Sequence, residues 1–492
     1  MATAPPEPAA LRTIETRSIE WVPETERHGR VWHQSPLWFL GNFQYFTIAL
    51  GFIGPSLGLA LGWSILAGTL GILAGTVFMA FHAAQGPTLG LPQMIQSRAQ
   101  FGYRGVVVPL AATLFTYMAF NVADQVLLSQ GLEGTFGWSA EVVAVVCSGG
   151  AGLLAIYGHD WVHRIFRLLL LISLPLMTLV TLGVLLGEAG GQAHAQDLGF
   201  AWAAFFAQFS AAAAYNITYA PYVSDYSRYL PKGTPARKII ASVFFGAAGS
   251  AIWLIALGSW LAVELGAADG LVGLQTAGNE TIDGLGDLAA FFSAAALAAT
   301  MGMNAYGGTL SVLTGVDSVR GIRPTRRARV ITVIVLTVGW YVIARSIASD
   351  AVSTVFTSLT LMLYLLVPWT ATNLVDFFFV RRGHYSIPDL FKPRGIYGAW
   401  AWRGLAAYGA GFAAQVPFMV LPDLGGWSYT GPLAEQISGV DVAWIVGLSV
   451  SATVYLALSR SLDVRAEERV IEHEDEPAIA EAADERGMAV PA

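Results

Sequence analysis

The sequence has few charged residues and only one cysteine. Charged side chains make up 12% of the 492 residues, whereas a soluble globular protein carries about 25%. That is too little charge to give a folded chain of this length a water-facing surface, which excludes a large soluble protein. The single cysteine, Cys147, excludes an internal disulfide framework and a thiolate metal cluster. Hydrophobic residues reach 55% and the mean hydropathy is +0.56, which places the chain in the membrane class.

Long apolar runs indicate how often the chain crosses a membrane. A spanning helix needs roughly 20 apolar residues. We predict twelve spans, near residues 35–58, 62–84, 105–130, 140–158, 164–187, 199–223, 239–264, 287–312, 329–348, 352–379, 403–422 and 440–458. Every lysine and arginine except Arg345 then lies in a segment on the same side of the membrane as the N-terminus. This positive-inside pattern predicts a multi-pass protein with both termini in the cytoplasm.

Spans 1 and 6 are interrupted by polar and helix-breaking residues. Span 1 contains Asn42, Gln44 and Pro55, and span 6 contains Asn216 and Pro221. Proline removes a backbone hydrogen bond, and irregular backbone is tolerated in lipid only where it lines a cavity or faces protein. A packing kink would explain one such helix. Two of them, five spans apart, are typical of a transporter built from an inverted repeat with its site at mid-membrane.

The predicted fold class is an all-α polytopic membrane protein with five segments. We expect a cytoplasmic N-terminal tail (1–34), a first repeat of spans 1–5 (35–187), a second repeat of spans 6–10 (199–379), spans 11 and 12 (403–458), and an acidic cytoplasmic tail (459–492). The acidic run from Glu467 to Glu485 is expected to be solvated and disordered rather than to form a binding surface.

Polar residues within the apolar layer mark a candidate site. Asp124 follows Phe120 by one helical turn in span 3, and Asn304 follows Thr300 by one turn in span 8, so each pair shares a helix face. A charged residue there costs about 2.5–3.5 kcal/mol on insertion scales, so Asp124 should face a cavity or a partner. It could belong to the site or to the outer vestibule. Asn304 could hold helices together, or its planar amide could both donate to and accept from a heterocycle.

The remaining motifs do not favour catalysis or signalling. The sequence "HDWVH" at 159–163 lies in a short basic inner loop, where we expect no metal site. The sequence contains no recognisable nucleophile–base pair and no phosphate-binding glycine loop, so an enzyme is not expected. A receptor would need a folded cytoplasmic output domain, and a channel would need a ring of pore-lining charges. Nothing indicates a nucleic acid partner.

Four stretches resemble the signatures of the nucleobase:cation symporter-1 family, in its purine–cytosine permease branch. They are "GPTLGLPQMIQSRAQFGYRG" (86–105), "APYVSDYSRYLP" (220–231), "MNAYGGTLS" (303–311) and "PWTATNLVDFFFVRRGHY" (368–385). The resemblance implies a LeuT-type five-plus-five inverted repeat with two extra helices, and cation-coupled import of a nucleobase across the cell membrane. A monomer would suffice, with the lipid bilayer and a small heterocyclic substrate as its partners. The alternative is another small heterocycle on the same fold, such as allantoin, a hydantoin or a vitamin precursor.

The resemblance also carries over candidate residues. In this family the substrate lies between helices 1, 3, 6 and 8, stacked on aromatic rings. The matching positions are the backbone around Gly41 and Gln44, the side chain of Tyr45, Phe120, Asp124, one of Tyr215, Asn216 or Tyr219, Thr300 and Asn304. At the cytoplasmic end of span 6, the spacing of Asp225 and Arg228 allows a pair within the helix or an inner gate across helices.

Two departures from the family pattern concern the coupling ion. Sodium-coupled members place hydroxyl residues on helix 8 five to six positions before the asparagine, where this chain has Ala298 and Ala299. A hard cation needs oxygen ligands. Asp124 stands where many permeases have an amide, and a carboxylate can accept a proton. We therefore expect H⁺ rather than Na⁺ as the coupling ion, and no other cofactor or resident metal.

Overall fold

Nearly all regular structure in the protein is helical. The computed structural model describes residues 19–190, 198–322, 325–347, 351–421 and 428–472. The strands among these residues are one short antiparallel pair, β1 (Val420–Leu421) and β2 (Tyr429–Thr430), with Val420 opposite Thr430. Within the predicted N-terminal tail, the described residues pack against the rest of the protein, since Ile19 and Val22 are fully buried.

The residues described in the first half of the chain form ten helices. They are α1 (Gln34–Asn42), α2 (Tyr45–Leu50), α3 (Ile53–Ser56), α4 (Leu61–Ala83), α5 (Gln85–Leu89), α6 (Gln93–Gln96), α7 (Arg98–Phe101), α8 (Val107–Phe136), α9 (Ala140–Tyr157) and α10 (His159–Leu186). Two short 3₁₀ turns, Glu24–Glu26 and Val31–His33, precede them.

The second half continues with twelve more helices among the residues described. They are α11 (Trp202–Ile217), α12 (Ala220–Ser227), α13 (Ala236–Val263), α14 (Gly270–Thr281), α15 (Leu285–Arg320), α16 (Arg326–Ser346), α17 (Ala351–Val375), α18 (Ile387–Leu390), α19 (Trp402–Gln415), α20 (Pro432–Gln436), α21 (Ala443–Ser459) and α22 (Val464–Ile471). A π-helical turn, Asp376–Val380, extends α17, and a 3₁₀ turn, Val416–Phe418, follows α19.

The helices confirm an all-α membrane fold. Eight of them in the described ranges are long and apolar enough to cross a membrane, and ten spans result if α1–α3 and α21–α22 each count as one bent span. The helices at predicted spans 6 and 11 are short, since α11 has 16 residues and α19 has 14, against about 17–25 for a full crossing. The architecture is consistent with twelve spans, and that number stays a prediction.

Both predicted helix interruptions are present. The chain leaves the helix between Asn42 and Tyr45, where Gln44 is extended (φ −156°, ψ 175°), and the two halves of span 1 meet at 59°. Span 6 is interrupted between Ile217 and Ala220, and Pro221 lies in the first turn of α12. Proline fits there because the first N–H groups of a helix have no partner within the helix. Both breaks free backbone carbonyl groups inside the membrane, and other groups must satisfy them.

Glycines bring the interrupted spans into backbone contact with α4 and α13. A Cβ atom at Gly71 or at Gly75 of α4 would lie 2.2 Å from a carbonyl oxygen of α11. A Cβ at Gly258 of α13 would lie 2.0 Å from the carbonyl oxygen of Ile48 in α2. Small residues allow this close approach in membrane proteins. Spans 1 and 6 therefore belong to one compact unit with α4 and α13, which we call the glycine-packed bundle.

We expect Gly75→Ala to lower the stability of the protein, because the new methyl group would overlap the backbone of α11. Overpacking of this kind costs about 1–3 kcal/mol, which should lower the unfolding temperature measured by intrinsic fluorescence. Gly249→Ala is the matched control, since a Cβ at Gly249 of α13 meets nothing within 4 Å. Equal stability of the two variants would contradict the packing described here.

A second group of helices, α8, α9, α15 and α16, faces this bundle. A Cβ at Gly307 of α15 would lie 2.6 Å from the ring of Tyr117 in α8, and Trp340 of α16 donates to the Ser148 hydroxyl of α9 (2.9 Å). On the opposite side of α8, Phe120 meets Phe46 of α2 and Tyr215 of α11. The interrupted segments of spans 1 and 6 therefore lie against the middle of α8 and α15.

The start of the acidic tail is ordered, contrary to our expectation. Glu467 lies in α22, where its two carboxylate oxygens accept from Arg381 (2.7 and 3.0 Å). Arg381 also pairs with Asp376 (2.7 Å), which accepts from the Tyr385 hydroxyl (2.6 Å). Burial, reinforced by Asp376, raises the pKa of Tyr385 well above its usual range, so Tyr385 remains a donor. The rest of the acidic run, from residue 473 to Glu485, lies outside the described residues.

Candidate functional site

The break in span 1 is joined to the tyrosines of span 6. The freed carbonyl oxygen of Gly41 accepts from the hydroxyls of Tyr219 (3.2 Å) and Tyr215 (3.4 Å). Gln44 uses both ends of its amide, since Oε1 accepts from the backbone N–H of Phe46 (2.5 Å) and Nε2 donates to the Tyr215 hydroxyl (2.9 Å). The structure thus brings together four of the predicted site residues.

Two stacked ring pairs surround this junction. Phe120 of α8 stacks on Tyr219, with ring centroids 5.7 Å apart and planes 15° apart. Phe46 of α2 stacks on Tyr215 (5.2 Å and 11°). All four side chains are buried, and the two tyrosine rings also meet edge to face (5.4 Å). These rings offer flat apolar surfaces from spans 1, 3 and 6, which suits a planar aromatic ligand.

A group of three polar side chains connects α8, which carries Phe120, with α15. Asn304 Nδ2 of α15 donates to Asn121 Oδ1 (2.9 Å) and to Asp124 Oδ2 (3.2 Å), both in α8. The other end of the Asn304 amide, Oδ1, is buried and has no hydrogen-bond partner among the residues described. Leaving a buried acceptor without a hydrogen bond costs roughly 1–3 kcal/mol. Asn304 Oδ1 is therefore available to a donor on a ligand.

Asp124 is a buried carboxylate that has no basic partner in the part of the chain that the structure describes. Within the described ranges it forms no ion pair, whereas Asp317 pairs with Arg98 (2.7 Å) and Asp376 pairs with Arg381 (2.7 Å). A buried, unpaired anion is costly. Asp124 is therefore suited to neutralisation by a proton, or to accepting a hydrogen bond from an amino or ring N–H group of a ligand.

Two predicted site residues lie apart from the rings. Asn216 accepts from Asn42 Nδ2 (2.8 Å) and donates to the Thr76 hydroxyl (2.6 Å), so both ends of its amide are used inside the glycine-packed bundle. The Tyr45 hydroxyl donates to the carboxylate of Asp269, just before α14. Neither side chain meets the ring pairs, because the position of each helix break turns these residues towards other neighbours.

The structure connects Asp225 and Arg228 with other helices at the inner end of span 6. Asp225 Oδ1 accepts from the backbone N–H of Gln93 at the start of α6 (2.9 Å). Arg228 Nη2 donates to the Tyr306 hydroxyl of α15 at the long distance of 3.5 Å. These contacts tie α12 to both neighbours, and the gate role of the two residues stays a prediction.

Two residues of the cluster were missed from the sequence. Asn121 lies three residues before Asp124 in "FNVAD", a spacing that places both on one helix face, so the polar signal was available. Phe46 follows Tyr45 directly. Choosing between these two aromatic residues requires the exact position of the break in span 1, which the sequence does not give.

A cavity of about 700 Å³ opens on the other side of the rings, at the ends of α1, α10 and α12. Trp38 stands between the two regions, with its ring centroid 5.8 Å from Tyr219 and 5.8 Å from Tyr226. Tyr226 lines the cavity. Because Trp38 and Tyr226 are both buried, they separate the cavity from the ring cluster.

Two interrupted helices with a buried polar and aromatic cluster between two helix groups are typical of a membrane transporter. The family model described as permease for cytosine/purines, uracil, thiamine, allantoin matches residues 21–447. The chain belongs to this family, nucleobase:cation symporter-1. This confirms the resemblance found in the sequence, and the relatives are permeases, as expected for a chain that is not an enzyme.

Individual relatives agree with this assignment. The putative purine-cytosine permease YxlA of Bacillus subtilis is 34% identical over 458 residues, which cover 91% of this chain and 96% of that protein. The purine-cytosine permease fcyB of Emericella nidulans is 25% identical over 478 residues, covering 92% and 89%. The solved structure of MHP1, a nucleobase-cation-symport-1 family transporter in a closed conformation with bromovinylhydantoin bound, has a TM-score of 0.68 at 17% identity, covering 96% of this chain and 99% of that chain. This last likeness shows a shared fold.

Proposed function

We propose that the protein imports a nucleobase or a related nitrogen heterocycle, cytosine-like or purine-like, into the cell. The observation that carries the proposal is the open acceptor Asn304 Oδ1 beside the Asp124 carboxylate, one helical turn from the Phe120 ring. A planar base could stack on the rings of Phe120 and Tyr219 while its N–H groups donate to these two oxygens. The names of the Bacillus and Emericella relatives support the same substrate class.

The proposal includes H⁺ rather than Na⁺ as the coupled cation. Ala298 and Ala299 pack among the apolar side chains of the core and offer no side-chain oxygen to a metal ion. Asp124 is buried beside the proposed substrate position, where a proton on its carboxylate and a substrate can affect one another. Import would then follow the proton gradient across the cell membrane.

A second candidate substrate class is a hydantoin, allantoin or a heterocyclic vitamin precursor. The observation that favours it is the shared fold with MHP1, whose structure holds bromovinylhydantoin. The same rings and the same two oxygens would receive such a ligand, because it also presents a flat ring with N–H groups at its edge. A substrate with a free carboxylate fits less well, since Asp124 would repel it.

The proposed orientation places both termini in the cytoplasm. Arg345, the one basic residue expected on the outer side, pairs with Glu141 (3.0 Å) at the start of α9. The side chains of the proposed site all come from one chain, so a monomer would suffice for transport. Alternating access would rock the glycine-packed bundle against the group formed by α8, α9, α15 and α16.

Thermal unfolding of the detergent-purified protein with a ligand panel tests the substrate class. The panel contains cytosine, uracil, adenine, guanine, hypoxanthine, allantoin, a hydantoin and a thiamine precursor, each with and without sodium at two pH values. A ligand at 100 times its dissociation constant adds about 2.7 kcal/mol of stability. A nucleobase that stabilises the protein without sodium, in a pH-dependent way, supports the proposal. Stabilisation only by a non-nucleobase favours the second class, and a requirement for sodium contradicts proton coupling.

Phe120→Leu should weaken substrate binding, because leucine fills the space of the ring without its flat face. Base–aromatic stacking is worth about 1–3 kcal/mol, so the dissociation constant should rise roughly tenfold or more. Phe101→Leu is the control, because Phe101 is equally buried but packs against Tyr408 in a separate apolar cluster. Isothermal titration with the ligand identified above provides the measurement. An unchanged dissociation constant would remove Phe120 from the site.

A further inference from the structure

A cavity of about 700 Å³ lies between the turn Val31–His33, α10 and α12. It is not part of the proposed transport site. Its size falls within the range of about 300–1,000 Å³ that is usual for small-molecule pockets. It faces the side of the membrane that carries the basic loops, which is the predicted cytoplasmic side. A ligand in this cavity would therefore come from the cytoplasm.

The outer part of the cavity carries three exposed arginines, Arg30, Arg164 and Arg167. Among the residues described, none of the three forms an ion pair with a carboxylate. The same lining holds two carboxylates, Glu26 and Asp160, so positive charge is in excess even with neutral histidines. Basic inner loops are general in membrane proteins, but these arginines border a cavity. Arginine binds phosphate groups with paired, charge-assisted hydrogen bonds.

The inner part of the cavity is mostly aromatic and apolar, and the imidazoles of His159 and His163 pack against its Tyr226 ring. Leu37, Phe166 and Tyr226 line it and are buried. Nearer the opening, Trp32 presents its ring with 58% of the side chain exposed. The cavity therefore changes from apolar and aromatic inside to cationic at its rim. This gradient favours a ligand with a flat ring at one end and an anionic group at the other, inserted ring first.

We propose that this cavity binds a cytoplasmic nucleoside 5′-monophosphate, with the base against the aromatic wall and the phosphate at the rim arginines. Bound there, the nucleotide would hold Tyr226 in place against Trp38, which separates the cavity from the transport site. Occupancy would thus slow release of substrate to the cytoplasm. The link to import rests on the proposed function, whereas the binding itself does not.

The test uses the full-length purified protein and the probes adenosine 5′-monophosphate and cytidine 5′-monophosphate. The nucleosides adenosine and cytidine test one half of the ligand, and inorganic phosphate tests the other half. Nanodiscs with and without anionic lipid test whether a lipid headgroup competes as a source of phosphate. The variant Arg164→Gln/Arg167→Gln removes two rim charges. Arg326→Gln/Arg327→Gln is the matched control, since it removes two exposed charges at the start of α16, outside the cavity.

We expect a nucleotide to bind the native protein and the control variant with equal affinity, and the rim variant at least about tenfold more weakly. Nucleoside or inorganic phosphate alone should bind at least about tenfold more weakly than the nucleotide. Equal binding by the rim and control variants would overturn the proposal. The proposal that the ligand is a nucleotide would be overturned if inorganic phosphate bound as tightly as the nucleotide, or if anionic lipid competed completely. The cavity would then be a site for a lipid headgroup.

Transport of the identified substrate in proteoliposomes separates this proposal from the proposed function. Nucleotide enclosed on the cytoplasmic face should slow uptake by the native protein. The nucleotide should inhibit uptake by the rim variant at least about tenfold less potently. Uptake that proceeds unaffected by a nucleotide would remove the regulatory role and leave the transport function intact. Nucleotide binding in a protein that binds no heterocycle from the panel would overturn the proposed substrate class and leave this site standing.

Discussion

Asn304→Ala should lower the affinity for the heterocyclic substrate at least about 100-fold, because sites built to hydrogen-bond a ligand lose most when that bond is removed. The substitution removes the open acceptor Oδ1 and also the Nδ2 group that holds Asn121 and Asp124 in position. Titration calorimetry on the purified variant gives the dissociation constant, and size-exclusion chromatography shows whether the variant remains folded.

Thr300→Ala is the matched control for this experiment. Thr300 lies one turn before Asn304 on α15, but its hydroxyl donates to the carbonyl oxygen of Ala296 within its own helix (3.0 Å). We therefore expect a change in affinity of less than about tenfold, although the family resemblance had placed Thr300 in the site. If Thr300→Ala lost binding and Asn304→Ala kept it, our assignment of the polar edge would be wrong.

Asp124→Asn should abolish uptake driven by a proton gradient while substrate still binds. Asparagine keeps the size of aspartate and can still accept from Asn304, but it cannot take up a proton at physiological pH. One pH unit corresponds to 1.36 kcal/mol, or about a tenfold accumulation ratio per coupled proton. Proteoliposomes of the native protein should reach that ratio, and those of the variant should only equilibrate the substrate.

Asp283→Asn serves as the control for the loss of one negative charge. Asp283 is exposed in the loop before α15, so its removal changes the net charge without touching the rings. Proton-driven accumulation should stay at the native value in this variant. If the Asp124 variant still accumulated substrate under a pH gradient, another group would have to carry the proton.

The interruptions and the polar residues of the site could be predicted from the sequence because each has a local chemical signal. Pro221 would remove a backbone hydrogen bond from a helix interior, and Asp124 and Asn304 stand out in apolar spans. The spacing of Phe120 and Asp124 placed both on one helix face, and the structure places the polar group and the ring stack on that face. Signals of this kind need no knowledge of neighbouring helices.

The orientation of residues next to a break could not be predicted. Asn216 and Tyr215 are adjacent in the chain, yet one points into the glycine-packed bundle and the other meets Phe46. Neighbouring residues of a helix differ in direction by about 100°, and an interruption shifts that angle by an amount only the fold determines. For the same reason, no local pattern indicates that Glu467 pairs with Arg381, which lies 86 residues away.

The seam between α4 and α11, where Gly71 and Gly75 lie against carbonyl oxygens, has a mechanical consequence. Two helices in contact through their backbones have no layer of side chains that can change rotamer and let one slide past the other. A displacement of α11 is therefore transmitted directly to α4, and the two helices move as one rigid body. During transport, displacement should concentrate where large side chains of the two helix groups meet, at Phe120 of α8 against Phe46 and Tyr219, while the seam keeps its spacing throughout the cycle.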